Sequence, residues 1–312
     1  MIIRKGNTKS RRIAAIGMWD GVHAGHKFLI DYLKLEATPR SLVPSVVTFE
    51  THPLSIVAPE RAPRLLSAPE TKFQKLNEAG AEDVIVVDFT PKIRHMSARQ
   101  FLSMLHKRFA IDALVVGFNN RFGRDRLEGF EQYQAIGTEL GIEIIGAPEY
   151  TGAHEKVSSS VIRTLIEEGN VAKASKMLGH PYQLTGEVVS GEHLGTSLGF
   201  PTANLRPEIE NAVIPAIGVY AAYTVTPDGV SRPTIVNIGV RPTVTGDDST
   251  PAHVTIEAHI LDYSGYLYGE TISLLFVERI RDEKKFSSLD KLRKALADDA
   301  HKARTILKKL EE

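Results

Sequence analysis

The stretch Ile16–Ile30, IGMWDGVHAGHKFLI, places a strand end, a glycine-punctuated loop and a helix start in immediate succession. Ile13–Ile16 reads as a first strand, and Phe28, Leu29, Tyr32 and Leu33 recur at helical spacing beyond the loop. A helix N-terminus offers unpaired N–H donors and the positive end of its dipole, so a phosphate group would sit well there. Gly21 and Gly25 let backbone approach such an anion with no Cβ in the way. His23 and His26 are three apart, so both imidazoles can face one ligand on the first helical turn. Donors aimed at a departing pyrophosphate suit an adenylyl transfer, which needs no covalent intermediate. The plainer alternative is a strand-to-helix turn with two surface histidines.

Outward from this loop, short β-like runs alternate with helical patterns. Ser45–Phe49, Val84–Val87, Ala113–Val116 and Ile142–Ile145 read as further strands, and Pro39 reads as the terminator of the first helix. Ser67 with Glu70, and Ser97 with Gln100, are capping-box patterns opening helices that carry Phe73 and Leu76, then Phe101, Leu102 and Leu105. The order β, α, β, α, β, α, β, α, β predicts a doubly wound, Rossmann-like α/β domain. From about Pro181 the texture changes to short alternating runs with frequent glycines, which predicts an antiparallel β-barrel or sandwich. Its expected strands are Gly186–Val189, Gly218–Val225, Thr234–Ile238, Val254–Leu261 and Thr271–Phe276, followed by a C-terminal helix opened by Ser287 with Asp290. Val157–Leu178 reads as a helical connector, so the expected domains are 1–178 and 179–312.

Composition bounds the function. The chain has 312 residues, 38 Lys plus Arg against 38 Asp plus Glu, and no cysteine. The balanced charge gives no global field for nucleic acid or an anionic membrane, so phosphate recognition must be local. Without cysteine, disulfides, thiolate nucleophiles and Cys-type zinc sites are excluded. The basic cluster Lys9, Arg11 and Arg12 reads as a solvated terminus, and no apolar run approaches the ~20 residues that span a bilayer. A cytoplasmic protein acting on small molecules, with no nucleic-acid or membrane partner, is the expectation.

Other segments carry chemistry. In VSSSVIR, Val157–Arg163, serines open a helix and Arg163 lies about one turn in, placed to clasp phosphate oxygens. His52 follows a strand end, where ligands of doubly wound sheets bind, although Pro53 gives it an equally plain turn role. Asn119, just beyond Ala113–Val116, is placed to hydrogen-bond a nucleotide or to form a turn. In GEVVSGEHLGTSLGFPTANL, Gly186, Gly191, Gly195 and Gly199 precede Pro201–Asn204. If that segment is extended, Thr202 and Asn204 share a side and present two neutral oxygens to a hard cation, while the glycines can fold over ATP phosphates. Barrel-corner glycines before a structural turn are the alternative.

Taken together these motifs resemble the prokaryotic bifunctional riboflavin kinase/FMN adenylyltransferase (FAD synthetase) family along the whole chain. Gly17 and Trp19–His26 look like its GxFDGVHxGH, Thr48–Pro53 its TFxPHP, Gly117–Gly123 its GxxFxFG and Val157–Arg163 its ISSTxIR. The resemblance implies that an N-terminal half adenylylates FMN to FAD, using His23, His26, Gly17, Asp20, Gly25, Asn119, Ser158, Ser159 and Arg163. It implies that a C-terminal half phosphorylates riboflavin with ATP, using Gly191, Gly195, Thr202 and Asn204 for nucleotide and Mg²⁺. Glu257, in VTIEAHILDYSGYLYG, matches the family's ExHLLDF-LYG segment, whose glutamate acts as base; His52 and Arg281 would border flavin. Asn120 stands where the family has phenylalanine and Thr196 where it has arginine. A chain that keeps one of the two activities, and a flavin-binding protein without turnover, are the competing readings.

Overall fold

The computed structural model describes residues 1–117, 121–125, 127, 129–152, 155–191, 200–241 and 253–309. They form two compact units, Met1–Pro63 with Pro69–Ser158, and Arg64–Ala68 with Ser159–Glu312.

In the first unit the elements run β1 (Ile2–Ile3), β2 (Arg12–Ile16), α1 (Ala24–Arg40), β3 (Val43–Phe49), α2 (Pro53–Val57), α3 (Pro69–Glu78), β4 (Asp83–Val87), α4 (Pro91–Arg94), α5 (Ala98–Phe109), β5 (Ile111–Val116), α6 (Phe130–Leu140) and β6 (Glu143–Gly146). Among the described residues six strands form a sheet in the order β1-β4-β3-β2-β5-β6, and each neighbouring pair is parallel. The chain winds outward one way from β2 through β3 to β4, then crosses back to β5, which makes the β2/β5 boundary a topological switch point. Alternation along β2 feeds two cores. Ile13 and Ala15 pack under α1 and α3 with Ile30, Leu33, Phe73 and Leu76. Ala14 and Ile16 pack under α5 and α6 with Phe101, Leu105, Phe109 and Tyr133.

The first unit departs from the sequence reading at three points. The edge strand β1 was not anticipated; two residues are too few to show a period, and it exists because β4 supplies a parallel partner. Pro39 lies inside α1, and the helix ends at Ser41, which takes φ 53° and donates its N–H to Ala37 and Thr38 carbonyls. Proline's fixed φ is itself helical, so in the last turn it removes one N–H without stopping the chain. Helix α3, expected from Phe73 and Leu76, spans Pro69–Glu78 and buries both. Arg12 is fully buried rather than solvated: its Nε–H donates to Asp83 (2.9 Å), and Nη1 donates to the Asn7, Ser10 and Phe109 carbonyls. The Ser97–Gln100 capping box is present with both of its bonds.

The second unit opens with α7 (Ser159–Glu167) and α8 (Val171–Leu178). It continues through β7 (Tyr182–Val189), β8 (Ala203–Pro207), β9 (Gly218–Val225), β10 (Ser231–Arg241), β11 (His253–Ile260) and β12 (Thr271–Arg281), and ends in α9 (Leu289–Lys308). Strands β10-β11-β8-β7-β12-β9 close into a barrel of antiparallel pairs. Strand β8 was not foreseen, because its five residues include Asn204, Arg206 and Pro207 and show no clean apolar alternation. Helix α9 is capped by Ser288, which accepts from the Lys291 N–H, and not by Ser287. Ala303 and Leu307 of α9 pack on Val219, Ala221 and Ile235.

Candidate functional site

In the first unit the loop after β2 lies at the switch point. It is an unusual piece of backbone: Trp19 (φ 56°), Gly21 (φ 78°) and Val22 (φ 42°) all take left-handed conformations. A non-glycine residue there costs of order 1–3 kcal/mol and persists only where its surroundings enforce it. The Trp19 indole supplies that enforcement, being buried with its Nε1–H donating to the Val47 carbonyl (3.0 Å). It also lies over Gly17, where a Cβ would approach the indole to 3.0 Å.

His23 is the N-cap of α1, and its Nδ1 accepts from the His26 N–H (3.2 Å). The two imidazoles stack, with centroids 3.6 Å apart and planes 13° apart. Burial pushes His23 down to about 4, and burial together with the neighbouring His23 holds His26 well below its usual value. Both rings are therefore neutral at pH 7 and interact as hydrogen-bonding groups rather than as charges. Gly25 allows the close packing, since a Cβ there would lie 3.3 Å from the His23 ring and 3.8 Å from Tyr150. Asp20 is buried in the same loop.

Lys72 was missed by sequence reading. It is 5% exposed on α3, and its ammonium donates to the Phe49 carbonyl (2.8 Å) at the end of β3. Burial lowers it to about 8, against the pull of Asp20, Glu50 and Glu70. The available signal was its place one helical turn from Leu76, on the apolar stripe, where a lysine breaks the pattern.

His52 caps α2, its Nδ1 accepting from the Leu54 N–H (3.1 Å). Ser158 closes the first unit, while Ser159 and Arg163 belong to α7 of the second, where Arg163 Nη1 donates to Ser160 Oγ at 3.5 Å. Asn119, Asn120, Gly195 and Thr196 lie outside the described residues.

In the barrel, Glu257 of β11 stands directly opposite Asn204 of β8. Opposite residues of an antiparallel pair share a face. That face is set by alternation: Ile256, Ala258 and Ile260 are buried on the other side, while Thr255, Glu257 and His259 are half-buried. Gly191 completes the contact, because a Cβ there would overlap the Asn204 carboxamide. His259 Nδ1–H donates to the Pro201 carbonyl (2.8 Å) and so ties the PTAN segment to β11. Thr202, one residue before β8, borders a cavity of about 240 Å³ lined also by Ala203, Ala258, Ile260, Tyr263 and Leu267. The structure thus gathers Gly191, Asn204 and Glu257, and places Thr202 on the rim of a neighbouring cavity. Arg281 is engaged by the buried Asp299 of α9 through Nε (3.0 and 3.1 Å) and Nη2 (2.7 Å). That engagement was invisible in sequence.

A strained HxGH loop at the switch point of a parallel sheet, followed by a closed barrel with its own carboxylate and amide site, defines a two-domain transferase. A family model described as FAD synthetase matches residues 5–161, and one described as Riboflavin kinase matches residues 178–307. The bifunctional riboflavin kinase/FMN adenylyltransferase of Escherichia coli (strain K12) is 36% identical over 293 residues, covering 94% of this chain and 91% of that protein. Proteins of the same description from Pseudomonas fluorescens and Bacillus subtilis (strain 168) are 34% and 30% identical, over 94% and 97% of this chain and 92% and 94% of their own. A crystal structure described as a macrolide-efflux protein from Streptococcus pneumoniae shares the fold, with TM-score 0.84, 29% identity and coverage of 97% of this chain and 98% of that one. Among the described residues no helix is long and apolar enough to cross a membrane. The chain belongs to the bifunctional riboflavin kinase/FMN adenylyltransferase family.

Proposed function

We propose that this chain makes FAD from riboflavin in two ATP-dependent steps, one in each domain. The observation that carries the reading is that the two family models fall on consecutive, non-overlapping parts of one chain.

In the first step Glu257 takes the proton of the ribityl 5′-hydroxyl while its oxygen attacks the γ-phosphorus of ATP, giving FMN and ADP. Gly191 brings backbone close to the Asn204 amide. Mg²⁺ typically takes one or two protein oxygens and completes its shell with substrate phosphates, and Asn204 and Thr202 supply neutral oxygens of that kind. When bound, the metal offsets charge developing on the phosphates; Mn²⁺ suits the same donors. The apolar wall of Ala203, Ala258 and Ile260 with Tyr263 suits the base of the nucleotide.

In the second step the FMN phosphate attacks the α-phosphorus of a second ATP and pyrophosphate leaves. His23 and His26, neutral and preorganised at the head of α1, donate N–H hydrogen bonds toward the leaving group. Gly17, Asp20 and Gly25 shape the loop that receives it. Asn119, Ser158, Ser159 and Arg163 keep the nucleotide-binding roles their motifs imply for this step, Gly195 keeps its role at the ATP of the first step, and His52 and Arg281 keep the flavin-bordering ones. A cytoplasmic location follows from the need for ATP in both steps.

The test is to incubate the protein with riboflavin, ATP and Mg²⁺ and resolve the flavins by chromatography. FMN should appear first and FAD with pyrophosphate after it. If neither nucleotide forms, the enzyme reading fails; FMN that is never adenylylated would reduce it to a kinase.

A further inference from the structure

Strand register lines up a row of side chains around the barrel. Arg281 faces Val219, Val219 faces Asn237, Asn237 faces Glu257, and Glu257 faces Asn204. Asn237 and Glu257 are directly opposite on the β10–β11 ladder, and the neighbours that flank them, Val236, Ile238, Ile256 and Ala258, are all buried on the other side. The two polar side chains therefore share one face, with Cβ atoms about 4.5–5.5 Å apart as in any such pair. Glu257 is thus held between two carboxamides, Asn204 on β8 and Asn237 on β10. The next position along that face of β10 is Gly239, where a Cβ would overlap the Glu283 carboxylate and lie 3.4 Å from Asn237 Nδ2. The missing side chain lets Glu283 reach over the strand beside Asn237.

We propose that Asn237 is a positioning residue for riboflavin phosphorylation, its carboxamide orienting the Glu257 carboxylate from the side opposite Asn204. This rests on Glu257 being the base. A base needs one oxygen aimed at the substrate hydroxyl, and a neutral amide donor beside the other oxygen restrains rotation without neutralising the charge. A lysine or arginine there would form an ion pair and weaken the base; an aspartate would repel it. The groups facing Glu257 are Thr255 and His259 on its own strand, Asn204 and Asn237 on the neighbouring strands, and Glu283 beyond β12. Arg281 lies further along the row and is held by Asp299.

The test uses the full-length protein and follows FMN formation from riboflavin, ATP and Mg²⁺ between pH 5 and 9, with conversion of supplied FMN to FAD as the internal control. Asn237→Ala should lower kcat for phosphorylation about a hundredfold with little change in riboflavin KM, as expected of a misaimed base. Asn237→Asp, nearly isosteric, should move the acid limb of the kcat profile about one unit to higher pH, because a second carboxylate disfavours ionisation of the first. Adenylylation should be unaffected in both variants. An unmoved acid limb in Asn237→Asp, or loss of both reactions in Asn237→Ala, would overturn the proposal. Glu257→Gln separates the two layers: if it still phosphorylates riboflavin, the base reading itself fails, whereas an inactive Glu257→Gln with an unmoved limb in Asn237→Asp sinks only the role of Asn237.

Discussion

The imidazoles of His23 and His26 stack at 3.6 Å at the first turn of α1, beside a Trp19 ring whose centroid is 5.1 Å from that of His26. Two stacked rings at that spacing cannot both carry a proton at low cost, and burial disfavours even the first.

The first expectation concerns acid stability. With His23 held at about 4 against 6.5 in the unfolded chain, the unfolded state binds the extra proton first as pH falls. The His23 contribution is therefore unchanged above 6.5 and declines between 6.5 and 4 by about 1.4 kcal/mol per unit, and by about 3 kcal/mol in all, while His26, also held below its usual value, steepens the slope in the same direction. Trp19 is the sole tryptophan of the chain, so urea unfolding followed by its fluorescence reads this unit alone. His23→Asn, which keeps an N-cap acceptor, should flatten the slope; an equally steep slope in that variant would refute the assignment.

The two chemistries should separate by substitution. Glu257→Gln should lower FMN formation by about 10²–10⁴-fold and leave FMN-to-FAD conversion intact. His26→Ala should do the reverse, costing about 10²–10³-fold in adenylylation. Chromatography of both reactions for each variant is the measurement, and loss of both by either folded variant would contradict two independent sites.

Arg281 and Asp299 should behave as one structural unit. Asp299 is 2% exposed, so Arg281→Met leaves a buried carboxylate without its partner and should cost about 3–5 kcal/mol. The double variant Arg281→Met with Asp299→Leu should recover much of that loss, since removing both partners leaves no uncompensated charge. Thermal unfolding of the full chain reads this; additive losses would show that the two groups are uncoupled.

Gly186→Ala tests how far the kinase site depends on the β7–β8 ladder. A Cβ at Gly186 would overlap the Arg206 carbonyl oxygen of β8, and backbone cannot swing aside as a side-chain tip can. The variant should lose about 1–3 kcal/mol and displace the strand carrying Asn204. FMN formation should fall while adenylylation of supplied FMN holds, and two unchanged rates would show that the ladder tolerates the methyl group.

Chelation of the divalent cation should stop phosphorylation of riboflavin, and Mn²⁺ should restore it as well as Mg²⁺ does. Persistence of FMN formation in excess chelator would remove Thr202 and Asn204 from any metal role.

Much of this was legible in residue order. Periodicity located the main strands of the parallel sheet and the Gly218–Val225 strand of the barrel, because apolar alternation is a local property. Glycines, histidines and serines at short spacing marked the loops, since the chemistry of a turn or a helix cap is settled within a few residues. The alternation of strand and helix patterns in the first half and the change of texture near Pro181, and hence a parallel α/β sheet followed by an antiparallel β unit, followed from the same local signals.

What the order of residues left open was decided by contacts between distant segments. Strand β8 exists because β7 and β11 supply the partners its own composition does not call for. Arg12 and Lys72 became interior cations only when Asp83 and the Phe49 carbonyl came within reach. The His23 and His26 rings stay neutral into acid because folding withdrew them from water. The row from Arg281 through Val219, Asn237 and Glu257 to Asn204 depends on register among five strands, and a shift of one residue would turn each side chain to the opposite face. Spacing along the chain names the groups a site can use; their charge state and mutual orientation arise from burial and strand pairing.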